Sequence, residues 1–294
     1  MLPKIIAVVG TNASGKSALG VALAARFGGE IISADSRQVY RRLNLGSGKI
    51  TPEEMKGVPH HLLDVVEPGE FFSMADFQRL AYEAADGILA RGALPFLVGG
   101  TGLYVDAVAD GYQLTGRSPD HAYREALEAL DTPTLYRMLR EKLPDTEIDP
   151  KNRHRVMRAL ERLADGDWRP AGKSPRYRVL KLGVSWPREI LKQRIDERLR
   201  RRLDEGMVEE VRSLLADGVS PEFLIRLGLE YKYLTWYLTG KMAYGQMTEE
   251  LSLAIKRLAK RQMTWFRRDP AIRWLDMAGD PAGEAARLID AFLG

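Results

Sequence analysis

The segment Gly10–Ser17, which reads GTNASGKS, constrains the fold of this chain more than any other feature. It follows the apolar run Lys4–Val9, typical of a strand buried on both faces, and it precedes Ser17–Phe27, which has helical spacing. The pattern G-x4-G-K-[ST] between a strand and a helix is that of a phosphate-binding loop, or P-loop. Its glycines turn backbone N–H groups toward phosphate oxygens, and the helix presents its positive end to the same anion.

This P-loop predicts a phosphate site but not the phosphate compound. Lys16 adds a mobile positive charge, and the Ser17 hydroxyl can ligate Mg²⁺. The common nucleotide hydrolases are disfavoured, because the predicted strand Ala93–Val98 ends in Gly-Gly-Thr-Gly rather than in a Mg²⁺-holding Asp. The residues predicted to hold the diphosphate or nucleotide are Gly10, Thr11, Asn12, Ala13, Ser14, Gly15, Lys16 and Ser17.

Strands and helices alternate through the first third of the chain. Glu30–Ala34 is predicted as a second strand and Ser73–Arg91 as a helix, with short glycine turns between the elements. This order predicts an α/β fold of the P-loop NTPase-like kind, a doubly wound parallel sheet. Residues 118–175 are charged, helical in pattern and rich in proline, so we predict a helical insertion there, with residues 1–117 and 176–294 forming the catalytic core.

The composition sets limits rather than naming a function. The 294 residues include no cysteine, which excludes disulfides and thiolate metal sites, and no apolar run approaches the roughly 20 residues that span a bilayer. We expect a cytoplasmic protein with no membrane partner. The net charge is only +4, yet residues 121–203 carry 21 Lys and Arg against 13 Asp and Glu. This excess indicates a surface that faces a polyanion, although a solvated helix face would give the same count.

Asp35 and Thr101 each follow one of the predicted strands. In a doubly wound sheet, ligands bind in the crevice outside the carboxyl ends of the strands, so both residues should face the P-loop. Each has a plainer alternative, because Asp35 could cap the next helix and Thr101 could be a turn residue. Together with the P-loop, a carboxylate and a hydroxyl on neighbouring strand ends indicate a general base and its orienting partner.

Six motifs make the chain resemble a known family. They follow the order and approximate spacing of the bacterial tRNA dimethylallyltransferases, and they extend from residue 4 to about residue 275. The motifs are GTNASGKS (10–17), SADSRQVY (33–40), VPHHLLD (58–64), VGGTGLY (98–104), NRHRVMRALE (152–161) and AKRQMTWFR (259–267).

The resemblance implies a role for each of these motifs. The P-loop would hold the diphosphate of dimethylallyl diphosphate, with Lys16 and a Mg²⁺ on Ser17 at its oxygens. Asp35 would accept a proton from N6 of an adenine in tRNA, Thr101 would support that base, and Arg226 would neutralise the leaving diphosphate. The implied contacts with tRNA, at its anticodon stem-loop, are Asp35, Ser36, Arg37, Gln38, Thr101, Arg124, Arg155 and Arg158.

The family resemblance therefore predicts an enzyme that prenylates the adenine 3′ of the anticodon, after that base has left its stack. We also expect a monomer. Three alternatives stay open: a transferase acting on free adenine nucleotides, a small-molecule P-loop kinase, and a non-enzymatic RNA-binding regulator. The basic excess, which we assign to the insertion, argues against the first. In the basic tail, helical spacing favours core positions for Trp265 and Phe266, whereas the tail arginines are candidates for phosphate contacts.

Overall fold

A computed structural model of the chain describes residues 2–114, 120–166 and 172–294. These residues form two compact units. The core comprises Met1–Tyr112 and Ser174–Gly294, and the insertion comprises Gln113–Lys173. In the described part of the chain, no helix combines the length and the apolar character that crossing a membrane requires.

One parallel sheet forms the centre of the core. Its strands are β1 (Lys4–Gly10), β2 (Gly29–Ser33), β3 (His60–His61), β4 (Leu94–Gly99), β5 (Arg178–Ser185) and β6 (Arg273–Asp276). They lie in the order β3-β2-β4-β1-β5-β6, and every neighbouring pair is parallel. Central β1 is apolar after Lys4 because both of its faces are covered: Ile5 packs into one buried cluster and Ile6 into another.

Helices cover both faces of this sheet, which confirms the predicted doubly wound fold. The helices are α1 (Lys16–Arg26), α2 (Pro52–Met55), α3 (Met74–Ala90), α4 (Gly102–Ala109), α5 (His121–Glu128), α6 (Thr132–Lys142), α7 (Arg153–Ala164), α8 (Arg188–Asp204), α9 (Met207–Ala216), α10 (Pro221–Leu227), α11 (Leu229–Leu238), α12 (Tyr244–Phe266) and α13 (Pro281–Leu293). Side chains of α3 and α4 share one cluster with the sheet, and side chains of α1 and α13 share the other.

Local sequence signals fix where several of these helices begin. Ser73 accepts a hydrogen bond from the Asp76 backbone N–H, and the Asp76 carboxylate accepts one from the Ser73 N–H, which forms a capping box at the start of α3. The predicted helix Ser73–Arg91 thus includes both capping residues of the observed helix. The two-residue strand β3 was not predicted, because so short a segment has no readable periodicity.

Helices α8 to α12 form a separate layer with their own buried cluster. Leu199 of α8 and Ile255 of α12 belong to this cluster, together with Val39 and Leu43 from the loop after β2. The packing therefore holds α8 and α12 against the loops at the carboxyl ends of β1 and β2. This arrangement brings Arg194 and Arg198 of α8 and the uncharged Gln262 of α12 to the P-loop.

The insertion contains three described helices, α5, α6 and α7, around a small core of its own. Its bounds differ from the predicted 118–175 because backbone pairing sets them: the Gln113 N–H donates to the Gly172 carbonyl at 2.8 Å, and the Ser174 N–H donates to the Gly111 carbonyl at 2.8 Å. The buried residues of this core are Leu127, Leu135, Leu139, Val156, Met157 and Leu160.

The insertion does not hold the basic excess that the sequence indicated. Residues 113–173 contain 12 Lys and Arg against 11 Asp and Glu. Residues 176–203 contain 10 against 3, and they belong to the core, in β5 and α8. The interpretation of the insertion as strongly basic is therefore wrong, since the boundary of the unit falls before the run of arginines.

Candidate active site

The P-loop forms the turn between β1 and α1. Gly15, the N-cap of α1, has φ 88°, a left-handed conformation that favours glycine, and no side chain caps the helix there. The Ser14 hydroxyl instead donates to the Thr11 carbonyl at 2.8 Å and closes the loop on itself. The first-turn N–H groups of α1 thus lack a side-chain acceptor and stay available to an anion.

Lys16 folds back over this loop, and its ammonium group donates to the Thr11 carbonyl at 3.3 Å. Burial, together with the neighbouring positive charge of Arg198, lowers the pKa of the Lys16 ammonium to about 8. An incoming anion would stabilise the charged form of Lys16, because it would offset both the lost hydration and the repulsion from Arg198.

Three arginines of α8 point toward the same loop. Arg194 Nε donates to the Ala13 carbonyl at 3.0 Å, and Arg198 Nη1 donates to the Asn12 side-chain oxygen at 2.5 Å. Their spacing of four residues, continued by Arg202, puts them on one face of the helix. Burial, followed by the charge of Arg202, lowers the pKa of the Arg198 guanidinium. The buried Glu230 carboxylate, 3.8 Å from Arg202, offsets part of this positive charge, and a bound anion would offset more.

Together the P-loop and α8 enclose a cavity of about 390 Å³, which we call the donor pocket. Its walls carry six basic side chains, Lys16, Arg37, Lys56, Arg194, Arg198 and Arg201, against three acidic ones, Asp35, Glu54 and Glu197. The volume suits a small ligand and the charge balance favours an anion.

Asp35 lies just after β2, and its two carboxylate oxygens differ. Oδ1 accepts hydrogen bonds from the backbone N–H groups of Arg37 at 2.9 Å and Gln38 at 3.4 Å. Oδ1 therefore closes a turn and does not cap a helix, since residues 36–39 form a turn and the next helix, α2, begins at Pro52. Oδ2 makes no hydrogen bond to any residue that the structure describes, so it is available to a substrate.

Thr101 lies beside Asp35 because β4 ends in glycine. A side chain at Gly99 would bring a Cβ atom within 2.1 Å of the Ala34 carbonyl, so only glycine lets the ends of β2 and β4 approach this closely. The Thr101 hydroxyl accepts a hydrogen bond from the Ser36 N–H at 3.2 Å, which ties the two strand ends together.

Asp35 and Thr101 face a second cavity of about 620 Å³, which we call the acceptor pocket. Ser36, Gly102, Lys232 and Trp265 also line it. The donor and acceptor pockets share three residues, Asp35, Arg37 and Gln262. Asp35 therefore stands in the wall between the P-loop cavity and a second cavity large enough for a purine base.

The remaining residues of the SADSRQVY motif are fixed by internal contacts. Arg37 Nη1 bonds Glu230 Oε2 at 2.6 Å, and Glu230 is only 1% exposed. The Gln38 side chain accepts from the Ser33 hydroxyl at 3.1 Å and donates to the Gly48 carbonyl at 3.0 Å. Gln38 lines the donor pocket, not the acceptor pocket, so it faces the P-loop side of the site.

Gln262 of α12 joins the two pockets. Its side-chain oxygen accepts a hydrogen bond from the Asn12 N–H at 2.8 Å, and its nitrogen donates to the Gly100 carbonyl at 2.9 Å. One amide thus fastens α12 both to the P-loop and to the loop after β4.

Arg226 does not join this site. It is exposed on α10 and is absent from the residues that line the donor pocket, whereas Arg194 and Arg198 line it. The physical reason is that α10 packs through Phe223 and Leu224 into the helical layer, which leaves Arg226 outside the P-loop cavity. The role predicted for Arg226 fits the α8 arginines better.

Sequence reasoning overlooked these α8 arginines. Their signal was present, since Arg194, Arg198 and Arg202 recur every four residues beside the apolar positions Ile195 and Leu199. A row of charged residues next to a row of buried residues indicates cations near the core. The many other charged residues of α8 hide this row, because they give the whole helix the composition of a solvent-exposed one.

Within the insertion, the predicted tRNA contacts differ in their environment. Arg155 is exposed and makes no ion pair with any described residue. Arg158 Nη1 bonds Glu161 Oε2 at 2.9 Å, and Arg124 Nε lies 3.6 Å from Glu161 Oε1. Asn152, by contrast, is structural: it caps α7 by accepting from the Arg155 N–H at 3.2 Å.

The chemistry of the donor pocket fits a magnesium ion held jointly with a substrate. Among the residues that the structure describes, no three His, Cys, Asp or Glu side chains come together as a metal site. Mg²⁺ often takes few protein ligands and completes its shell with phosphate oxygens and water. The Ser17 hydroxyl, exposed at the start of α1 and lining the donor pocket, is the oxygen ligand such an ion needs.

Comparisons with known proteins agree with these observations. The sequence profile of the IPP transferase family matches residues 38–269. A protein named tRNA dimethylallyltransferase 2 from Pelobacter propionicus is 45% identical over 97% of this chain and 93% of its own, and tRNA dimethylallyltransferase from Geobacillus thermodenitrificans is 40% identical over 99% and 96%.

Solved structures give the same result. The tRNA isopentenylpyrophosphate transferase of Bacillus halodurans superposes with a TM-score of 0.76 at 38% identity, covering 98% of this chain and 96% of its own. A eukaryotic dimethylallyltransferase described as acting on tRNA superposes with a TM-score of 0.82 at 26% identity, covering 97% and 77%. The chain therefore belongs to the IPP transferase family, as its six motifs predicted.

Proposed function

We propose that this chain transfers the dimethylallyl group of dimethylallyl diphosphate to N6 of the adenine 3′ of the anticodon in tRNA, releasing diphosphate. The observation that carries the proposal is the position of Asp35, whose free Oδ2 lies in the wall shared by the donor and acceptor pockets. The names of the relatives support the same reaction.

In the proposed reaction, the bond between the allylic carbon and the diphosphate oxygen breaks, and negative charge grows on the leaving group. The P-loop N–H groups, Lys16, Arg194 and Arg198 are aimed at this charge. Fixed donors of this kind usually supply the largest part of catalysis, because they need no reorganisation as the charge develops. A Mg²⁺ held by Ser17 and the substrate oxygens would neutralise further charge on the diphosphate.

The acceptor adenine occupies the acceptor pocket in this proposal, after leaving its stack. Its N6 is a weak nucleophile, because the lone pair is delocalised into the ring. As the new C–N bond forms, Asp35 Oδ2 takes the N6 proton, and general base help of this kind contributes about 10²–10⁴-fold. The Thr101 hydroxyl keeps the loop of Asp35 in place through its bond with the Ser36 N–H.

The proposal extends to the setting of the enzyme. Every residue assigned to the chemistry belongs to one core unit, so we expect a monomer to be active. Since the acceptor is tRNA, we expect the reaction in the cytoplasm. In the insertion, exposed Arg155 is the best placed candidate for a contact with the anticodon stem, and Arg124 and Arg158 would contribute charge beside it.

One assay separates this function from its alternatives. Purified protein is incubated with labelled dimethylallyl diphosphate and Mg²⁺, with either tRNA or AMP as acceptor, and in parallel with labelled ATP and candidate alcohols. We expect label in tRNA, none in AMP and no phosphoryl transfer. Transfer to AMP would favour an enzyme of free nucleotides, and phosphorylation of an alcohol would favour a kinase.

A further inference from the structure

Glu230, the second residue of α11, is a buried carboxylate to which the proposed reaction gives no role. Its Oε2 accepts a hydrogen bond from Arg37 Nη1 at 2.6 Å, and its Oε1 lies 3.8 Å from Arg202 Nη1. Both arginine side chains are at most 13% exposed. Burying three charges costs free energy that their contacts offset only in part, so stability alone does not account for this cluster.

The backbone turns sharply where it brings Glu230 to the two arginines. Gly228, the N-cap of α11, has φ 73° and ψ −175°, a conformation that is essentially restricted to glycine. Leu229 follows with φ 45°, in the left-handed region that a leucine rarely adopts. Both residues line the acceptor pocket. The strained turn therefore belongs to the site, and the carboxylate directly after it is placed by the same turn.

Arg37 is the residue through which Glu230 can act on the site. It lines both pockets, and its backbone N–H donates to Asp35 Oδ1 at 2.9 Å. Burial acts to lower the pKa of the Arg37 guanidinium, but the charges of Glu230 and then of Asp35 raise it overall. Arg37 thus lies within electrostatic range of two carboxylates. Among the residues that the structure describes, it forms an ion pair with Glu230 alone.

The carboxylate that Arg37 selects matters, because the other one is the proposed base. A guanidinium paired with Asp35 would donate N–H groups to Oδ2, the oxygen assigned to the N6 proton of the adenine. Such a pair would stabilise the charged carboxylate and make it a poorer proton acceptor. By binding Arg37, Glu230 leaves Oδ2 without this competing donor.

We propose that Glu230 is a positioning residue that holds Arg37 away from Asp35 and so keeps Asp35 Oδ2 free for the acceptor base. The inference rests on the proposed function, because that function makes Asp35 the base. Glu230 itself touches no reacting atom and acts through Arg37.

Glu230 also sets the charge behind the donor pocket. Together with Arg198 and Arg202 it lines a cavity of about 10 Å³ against the P-loop. Burial and the charge of Arg202 lower the pKa of the Arg198 guanidinium, and the charge of Glu230 opposes them in part. Removing the Glu230 charge would leave the donor pocket more positive, which favours an anion there. Loss of this carboxylate should therefore strengthen donor binding while it impairs proton removal.

The test uses E230Q, which keeps the size of the side chain and removes its charge. At saturating substrates, we expect kcat for prenyl transfer to fall by about tenfold or more, because Asp35 becomes engaged by Arg37. Pyrophosphate, measured by calorimetry, should bind about two- to tenfold more tightly. A loosened fold would weaken both quantities, so the opposite signs distinguish positioning from structural support. The matched control is E209Q, which removes an exposed, paired carboxylate from α9 and should change neither quantity.

A double-mutant cycle tests whether Glu230 acts through Arg37. The variant E230Q/R37Q should be no slower than R37Q, since the arginine that Glu230 restrains is then absent. A further loss of kcat in the double variant would overturn the inference. Wild-type kcat in E230Q, or weaker pyrophosphate binding in that variant, would overturn it too.

Thermal unfolding checks that the fold of E230Q persists. If that variant unfolds, the charge-balanced variant R202Q/E230Q replaces it, and the same loss of kcat is expected because Arg37 again lacks its partner. The two proposals are distinguished by the wild-type protein. Absence of prenyl transfer by wild type would contradict the reaction and the inference with it, whereas equal transfer by wild type and E230Q would contradict the inference alone.

Discussion

The donor pocket and a groove of about 490 Å³ on the exposed side of α12 are both rich in arginine and lysine, but they hold these residues in opposite ways. The second cavity, which we call the α12 groove, is lined by Arg257, Lys260, Arg261, Thr264, Trp265 and Arg268. In the donor pocket, Lys16 and Arg198 lie against oxygens of the P-loop, and burial lowers the pKa of both groups. In the groove, Arg261 and Arg268 are exposed and unpaired within the described part of the chain.

The two regions differ in how strongly water and salt screen their positive charges, and this difference suits them to anions of different size. Buried cations act at short range, where water screens little, so they hold a diphosphate in a fixed position. Exposed cations act through a field that salt screens beyond about 8 Å, which attracts a long polyanion without fixing any one phosphate. A reaction at one bond favours the first arrangement, and the attraction of a long polyanion favours the second.

The largest effect should come from Asp35, which lies beside the donor cations but contributes no positive charge. Asp35→Asn keeps an oxygen that can cap the Arg37 N–H, and it removes the base. We expect kcat to fall by about 10²–10⁴-fold while RNA binding stays within about twofold of wild type. Single-turnover prenylation and anisotropy measure the two quantities. A normal rate in Asp35→Asn would contradict the assignment of the base.

The next effect tests which arginine serves the diphosphate. Arg198→Gln should lower kcat by about 10²–10³-fold, the usual cost of losing one donor to a developing charge, and by the same factor at low and high salt. Arg226→Gln, an equal change of charge on α10, should leave kcat nearly normal. The opposite pattern would restore Arg226 to the role that the family resemblance implied.

A third prediction concerns pH. In the free protein, burial lowers the pKa of Lys16 to about 8, so its ammonium loses its proton above that pH. A bound diphosphate favours the charged form and raises this pKa, so binding above pH 8 takes up a proton and weakens by at most about tenfold per pH unit. Calorimetry of pyrophosphate binding in buffers of different ionisation enthalpy measures the uptake.

Lys16→Gln is the control for this pH dependence, since whatever remains in that variant belongs to the ligand or to other groups. If wild type and Lys16→Gln respond to pH in the same way between pH 7 and 9, Lys16 does not titrate in this range.

The smallest effect separates charge from shape in the α12 groove. Arg268→Lys keeps the charge and loses the planar contact with Trp265, which is worth about 0.5–1 kcal/mol at an exposed site. RNA affinity should fall by about two- to fivefold, with the salt slope unchanged. Wild-type RNA affinity in Arg268→Lys would mean that Arg268 acts as a charge alone and that its planar contact with the ring contributes nothing.

The sequence predicted the parts of the site that depend on the backbone. The P-loop and the positions of Asp35 and Thr101 follow from strand ends and glycines, and these rules are local. The same rules placed β1, β2 and β4 within a residue of their observed bounds.

The parts that were not predicted depend on tertiary packing. No local rule says which face of α8 meets the P-loop, so Arg194 and Arg198 looked like surface charges. Arg226 was chosen from an alignment position, and the packing of α10 leaves it outside the donor pocket. The basic excess was assigned to the insertion because a charge count along the chain does not reveal where a unit ends.

The double hydrogen bond of Gln262 has a consequence for how the two substrates meet. An RNA strand resting on α12 steadies, through that single amide, the first turn of the loop that cradles the diphosphate. A P-loop that has bound the diphosphate would in turn stabilise the position of α12 through the same hydrogen bonds. By thermodynamic linkage, each substrate should strengthen the binding of the other by the same factor. Replacing Gln262 by leucine should reduce this factor to one.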